Sequence, residues 1–275
     1  MTADDLPGVR PRLVATDLDG TLLDSNGHVT DRTRAVLGAL DEMGVPVVFT
    51  SGRPLRWMED LWEEVGGHGL AIVSNGGIVY DVAGHRISHS RTIPREVLLR
   101  VGELIRDGVA GTAFALESTV GFAREADFFP RLAASRMPGT PVGRLEEIAD
   151  DAVVKLLARH ESLEAEPFWH AVEALVGDLV TTTWSSMGPL VEISAAGVTK
   201  ASTLEMVTAD LGVAAAEVVA FGDMPNDLPL LGWAGRSYAM SNAHPSVIEC
   251  AAHLAPSNDE DGVAQTLADL FGLDA

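Results

Sequence analysis

Four short apolar runs, each ending at a polar residue, constrain this chain more than any other feature. Leu13-Val14-Ala15-Thr16 stops at Asp17, and Val45-Pro46-Val47-Val48-Phe49 stops at Thr50-Ser51-Gly52-Arg53. Leu70 to Ser74 leads into Asn75, and Glu217-Val218-Val219-Ala220-Phe221 leads into Gly222-Asp223. Such short, continuous runs suit buried strands. Between the first two, Thr30 is placed to cap a helix carrying Val36, Leu37, Leu40 and Met43 at the helical period, ended by Gly44. A second helix is expected around Trp57 to Val65. This alternation predicts an α/β fold, a parallel sheet with right-handed crossovers. Ligands of such sheets lie beyond the carboxyl ends of the strands, so Asp17, Ser51 and Asn75 should share one rim.

The middle third breaks the pattern. Ile78 to Tyr80 and Arg86 to Ile93 read as a hairpin around Asp81-Val82-Ala83-Gly84, and Pro94 opens a helix with Val97, Leu98, Val101, Leu104 and Ile105 on one face. Strands are expected at Thr112 to Glu117, Gly121 to Arg124, Ala152 to Arg159 and Leu179 to Trp184. A helix is expected around Pro167 to Val176, and Met137-Pro138-Gly139-Thr140-Pro141 forms a connection. Strands with helices on one side suggest a small α+β domain over residues 85–187, inserted into a core made of 1–84 and 188–275. The last third returns to alternation, with a helix starting at Thr199 or Ser202 and ending at Gly212, and a C-terminal helix around Gly262 to Phe271.

Composition narrows the partners. The 275 residues are 47% hydrophobic and 21% charged, which provides a sizeable core and excludes global disorder. Asp and Glu outnumber Lys and Arg by 40 to 19, a net charge of −21 that repels nucleic-acid backbones and anionic lipid. No nucleic-acid or membrane partner is therefore expected, although a small anion can still occupy a local positive pocket. A lone cysteine, Cys250, excludes an internal disulfide framework or a cysteine-rich zinc site. The acidic N-terminus has no long apolar stretch, and no window approaches the ~18 apolar residues of a membrane span, so a cytoplasmic location is expected. Oligomeric state is left open.

Chemistry concentrates in four motifs. Asp17-Leu18-Asp19-Gly20-Thr21-Leu22 puts two carboxylates two residues apart on a loop leaving a buried strand. Thr50-Ser51-Gly52-Arg53-Pro54, then Lys200 in Gly197-Val198-Thr199-Lys200, then Gly222-Asp223-Met224-Pro225-Asn226-Asp227 follow in order. Ser74-Asn75-Gly76-Gly77 and the runs Asn242-Ala243-His244-Pro245 and Ser257 to Val263 accompany them. With these motifs the chain resembles the haloacid dehalogenase-like (HAD) hydrolases, and within them the Cof-type phosphatases with a class-IIB cap. One departure is Ser241, where that pattern has glycine before Asn242.

The resemblance implies a Rossmann-like core with an inserted cap, and a Mg²⁺-dependent phosphatase of small phosphorylated metabolites, sugar phosphates among them. It implies that Asp17 attacks phosphorus and forms an aspartyl-phosphate, and that Asp19 protonates the leaving alkoxide and then activates water. Mg²⁺ would be held by the Asp17 and Asp223 carboxylates and the Asp19 carbonyl, with Lys200 and Ser51 on the phosphoryl oxygens. Gly52, Arg53, Asn226 and Asp227 would contact the phosphate or back these groups. Charge supports the scheme. A phosphomonoester carries about −2, and like unit charges ~4 Å apart repel by ~1 kcal/mol in water and ~4 at an effective dielectric of 20. Attack by a carboxylate therefore needs cations.

Several alternatives stay open at this level. Arg53 divides evenly between steering an anion and simply packing or pairing, and Asn75 between supporting the second-motif loop and forming a turn. Glu117, Arg124 and Glu125 read first as solvated hairpin charges and second as substrate contacts. His85 and His89 lie four apart but not on a helix, Gly66-Gly67-His68-Gly69 lacks a dinucleotide-loop context, and no GxSxG elbow appears. A phosphomutase is the runner-up enzyme, and a non-catalytic phosphate-responsive module is the alternative from another class.

Overall fold

The computed structural model describes residues 10–65, 67, 69–129, 139–184 and 188–273. Met137 and Pro138 of the expected connection, Gly66 and His68, and the expected limit at residue 187 lie outside them. The strands in chain order are β1 (Leu13–Asp17), β2 (Val47–Thr50), β3 (Leu70–Val73), β4 (Ile78–Asp81), β5 (Arg86–Ser90), β6 (Ala113–Ser118), β7 (Gly121–Arg124), β8 (Val153–Arg159), β9 (Val180–Thr183), β10 (Leu190–Ala195), β11 (Val218–Gly222), β12 (Arg236–Met240) and β13 (His253–Ala255). The helices are α1 (Asp31–Glu42), α2 (Glu59–Glu64), α3 (Arg95–Gly108), α4 (Leu145–Ile148), α5 (Ala165–Val176), α6 (Lys200–Leu211), α7 (Leu228–Trp233), α8 (Pro245–Cys250) and α9 (Gly262–Phe271).

The larger sheet has the order β13-β12-β11-β1-β2-β3-β4-β5, parallel from β13 through β3 and antiparallel in its last two strands. β1 shows why it is covered on both faces. Successive side chains point to opposite sides, so Val14 joins the cluster of α1, α2 and α9, whereas Leu13 and Ala15 join that of α6, α7 and α8. Thr30 caps α1 as expected, its hydroxyl accepting from the Thr33 amide at 3.1 Å. Met43, expected on the buried face, stays 38% exposed because the helix ends one residue before it.

The smaller sheet, β7-β6-β8-β10-β9, is antiparallel throughout. Its apolar face, including Phe114, Leu116, Leu156, Ala158, Val191 and Ile193, packs on α3 and α5. The opposite face carries Glu117, Lys155 and Glu192, all buried. Sheet membership differs from the expected limits at both ends. β5 pairs with β4 in the larger sheet, so the turn after Asp81 is an internal hairpin rather than a boundary. β10, not anticipated as a strand, joins the smaller sheet because Val191 and Ile193 alternate with Glu192 and Ser194. Among the described residues, no helix is long and apolar enough to cross a membrane.

Candidate active site

Register brings the motifs together. Asp17 ends β1 opposite Thr50 of β2, and Thr16 lies beside Phe221 of β11, so the residues following all three strands emerge on one rim. The chain then turns sharply through Leu18–Leu22, anchored by buried Leu18 and Leu22, with Gly20 in the left-handed region at φ 73°. A Cβ at Gly20 would stand 2.4 Å from Asp223 Oδ2, so only glycine lets the first and fourth motifs approach this closely. Asn242 holds the turn from behind, its Nδ2 donating to the Gly20 carbonyl at 2.8 Å. The neighbouring Ser241 is not among the described residues with left-handed backbone, so glycine is not needed there.

Lys200, the first residue of α6, points its ammonium into the centre. Nζ donates to Asp17 Oδ1 at 2.8 Å and to Asp227 Oδ1 at 2.7 Å, and all three groups are buried. Burial opposes the lysine's charge most strongly, but the Asp17 and Asp227 carboxylates together outweigh it and hold the ammonium above its ordinary range. Asp17 is pushed the other way. Burial first, and then Asp227, raise its carboxyl well above the usual carboxylate value. Asp223 follows, pushed up to about 6 by burial and then by Asp227, with a hydrogen bond from Thr21 Oγ1 at 2.9 Å opposing. Thr21 stood in the first motif without a role.

The donor set fits a divalent cation. Oxygens of Asp17, Asp223 and Asp227 lie within 4.8 Å of one another, the group of possible ligands found among the described residues. Asp227 is engaged at both oxygens: Oδ1 accepts from Lys200, and Oδ2 from the Asp223 and Met224 amides at 3.1 and 3.2 Å. Asp17 and Asp223 are left facing each other with one ammonium among three carboxylates. That deficit of positive charge is what a cation bound by oxygen ligands would fill.

The remaining expected residues fall into two groups. Ser51 is buried at the end of β2, its Oγ accepting from the Arg53 amide at 2.9 Å, and Gly52 presents its carbonyl to Lys155 at 2.6 Å. Asn226 and Asn75, both buried, are joined at 3.1 Å. Asp19 stands apart from the aspartate cluster. Its side chain is 54% exposed, and the Arg53 fork grips both oxygens at 2.8 and 2.5 Å. Arg53 thus pairs, one of its two open readings.

The hairpin charges are not simply solvated. Glu117 is 3% exposed and takes both arms of the Arg56 guanidinium at 3.0 and 2.5 Å, while burial, opposed by Arg56, raises its pKa. Arg124 donates to the carbonyls of Glu125, Ala126 and Phe128, and Glu125 pairs with Arg106, so both brace the smaller sheet. Sequence reasoning missed Lys155 and Glu192. The available signal was a charged residue in the middle of each apolar run, Val153 to Ala158 and Leu190 to Ser194.

A buried Asp–Lys cluster on the carboxyl rim of a mostly parallel sheet with helices on both faces, beside a second, antiparallel sheet, defines the class: an α/β fold with a candidate active site. The chain belongs to the haloacid dehalogenase-like hydrolases, whose family model matches residues 14–267. Similar curated proteins are phosphatases by name. The 5-amino-6-(5-phospho-D-ribitylamino)uracil phosphatase YitU of Bacillus subtilis (strain 168) is 27% identical over 269 residues, spanning 96% of this chain and 99% of that protein. The HMP-PP phosphatase of Serratia proteamaculans (strain 568) is 27% identical over 248 residues, 86% of each chain. Among solved structures, a haloacid dehalogenase-like hydrolase from Bacteroides thetaiotaomicron superposes with a TM-score of 0.75 at 26% identity, over 95% of this chain and 100% of that one. The HAD subclass IIB sugar phosphatase BT4131 shares the fold, with a TM-score of 0.78 at 19% identity over 95% of this chain and 99% of that one.

Proposed function

We propose that this hydrolase is a Mg²⁺-dependent phosphatase of small phosphorylated metabolites, working through an aspartyl-phosphate on Asp17. The observation that carries this reading is the buried Asp17–Lys200–Asp227 arrangement beside Asp223. It fixes one carboxylate oxygen by hydrogen bonding while leaving a place for a cation. Asp17 and Asp223 would hold Mg²⁺ through their carboxylates, with the Asp19 carbonyl as a third protein ligand. The bound ion would neutralise phosphoryl charge.

The protein's own residues supply the remaining steps. An Asp17 oxygen attacks phosphorus in line, and the bond from phosphorus to the ester oxygen breaks. Protonated Asp19 gives its proton to that leaving oxygen. Asp19, now a carboxylate, takes a proton from a water that attacks the same phosphorus, and the Asp17–phosphorus bond breaks to release inorganic phosphate. Lys200 and the Ser51 hydroxyl stabilise the phosphoryl oxygens, and Asp227 positions Lys200. The Arg53 guanidinium, which grips both Asp19 oxygens, is proposed to turn to the incoming phosphate dianion.

The smaller sheet is proposed as the cap that selects the leaving group, since the rim motifs read only the phosphoryl end. The names of relatives that act on a ribitylamino-uracil phosphate and on HMP-PP support a small phosphorylated metabolite as the substrate class. The test is phosphate release from a panel of phosphorylated metabolites with Mg²⁺ and with chelator. Release that needs the metal and disappears in Asp17→Asn is expected. Isomerised sugar phosphate without release, or no turnover of any monoester, would overturn the proposal.

A further inference from the structure

Lys155 is 1% exposed and sits on β8, on the face turned away from α3 and α5. Its Nζ donates to Glu192 Oε1 at 2.7 Å and to the Gly52 carbonyl at 2.6 Å. Glu192 Oε2 accepts from Asn75 Nδ2 at 3.0 Å, and Asn75 Oδ1 accepts from Asn226 Nδ2 at 3.1 Å. One line of hydrogen bonds, buried except at the Gly52 carbonyl, therefore runs from the fourth motif through the smaller sheet to the second.

The peptide at the end of that line matters most. Three consecutive carbonyls of the second motif are pinned: Ser51 by the Asn75 amide at 3.0 Å, Gly52 by Lys155, and Arg53 by the Ser74 amide at 2.9 Å. Ser74 and Asn75 make these contacts from left-handed backbone, φ 52° and 56°, which the surrounding bonds must hold in place. In a trans peptide the carbonyl and the following amide point in opposite directions. Fixing the Ser51 carbonyl aims the Gly52 amide, and fixing the Gly52 carbonyl aims the Arg53 amide. That second amide donates to Ser51 Oγ at 2.9 Å, filling an acceptor site on the hydroxyl and leaving its proton to be donated elsewhere.

We propose that Lys155, oriented by Glu192, is a positioning residue that fixes the Gly52–Arg53 peptide, whose amide in turn holds Ser51 Oγ so that the Ser51 hydroxyl presents its proton to a phosphoryl group. This rests on the phosphatase reading and deepens it: the smaller sheet completes the phosphate-binding loop as well as covering the leaving group. Glu192 and Asn75 carry the same constraint to Asn226, beside the proposed metal ligand Asp223.

The test compares Lys155→Met, Lys155→Arg and the double variant Lys155→Met/Glu192→Gln with the wild type. Inorganic phosphate binding is measured by calorimetry with Mg²⁺, kcat and KM with p-nitrophenyl phosphate, and folding by thermal melts. Lys155→Met is expected to weaken phosphate binding and kcat/KM by roughly 10- to 100-fold, the equivalent of one charge-assisted hydrogen bond. The double variant leaves no buried charge unpaired, so it recovers melting temperature but keeps the loss of phosphate affinity. Lys155→Arg restores part of both. A folded double variant with wild-type phosphate affinity and kcat/KM would overturn the positioning role while leaving the phosphatase reading intact. A wild type that neither binds nor releases phosphate overturns both.

Discussion

Replacing Asp223 with asparagine is expected to stabilise the metal-free protein while removing most of its response to Mg²⁺. Burial, and after it Asp227, push the Asp223 carboxyl from its ordinary 3.8 to about 6. Between those values the unfolded chain has released a proton that the folded chain still holds. Stability contributed by this group therefore falls as pH rises through that window, and above it the whole penalty persists. At ~1.4 kcal/mol for each tenfold change, the penalty is on the order of 3 kcal/mol. At about 2–4 °C per kcal/mol for a chain of this size class, the melting temperature rises by roughly 6–12 °C in the variant. Asparagine keeps the shape and can still accept the Thr21 hydroxyl, which in the wild type reaches Oδ1 at 2.9 Å, so the charge is the main thing removed. The assay is thermal unfolding with chelator at pH 8 and at pH 5, repeated with saturating Mg²⁺. The variant's advantage should be larger at pH 8, and Mg²⁺ should raise the wild type far more than the variant. A metal-free variant that melts at or below the wild type at pH 8, or equal Mg²⁺ shifts in both, would refute the reasoning.

Other substitutions test separate parts of the molecule. Asp17→Asn should lower phosphate release by at least ~10³-fold, because the proposed covalent step needs the carboxylate, and a near-normal rate in a pure preparation removes Asp17 as nucleophile. Arg56→Ala strands Glu117, whose side chain is 4% exposed, and should cost about 3–5 kcal/mol in denaturant unfolding. The paired change Arg56→Met/Glu117→Leu should recover most of that loss, and failure to recover it would show that the ion pair itself stabilises the contact between the sheets. Gly20→Ala forces a side chain into left-handed backbone at φ 73°, at a cost of about 1–2 kcal/mol, and drives its Cβ against Asp223. The Mg²⁺ concentration needed for half-maximal thermal stabilisation should rise several-fold, and an unchanged midpoint would contradict the close approach of the two motifs.

Legibility in the sequence followed the range of the interactions. β1, β2, β3 and β11 were readable because each is a local apolar run, and Asp17, Ser51 and Asp223 because each stands where a run stops. The start of α6 was readable only as Thr199 or Ser202; Thr199 is the cap, and it sets Lys200 at the helix entrance. Arg53 resisted because its choice between an anion and a neighbouring carboxylate depends on Asp19, 34 residues away and reached only after folding. Glu117 was misjudged for the same reason. A charge beside a hairpin looks solvated until Arg56, 61 residues earlier, is brought against it.

Lys155 and Glu192 show what kind of residue this mode of reading passes over. Neither belongs to a motif, and each interrupts an otherwise apolar strand, which in isolation suggests only a weaker strand. Burying the ammonium of Lys155 without partners would be prohibitive, so its position at 1% exposure demands strong acceptors. Glu192 lies 37 residues away and the Gly52 carbonyl 103 residues away, in the loop that follows β2 of the other sheet. A charge placed in an apolar run thus implies that a partner exists without naming it. Here one partner is the Gly52 carbonyl of the second motif, so the smaller sheet is hydrogen-bonded directly to the rim of the larger one.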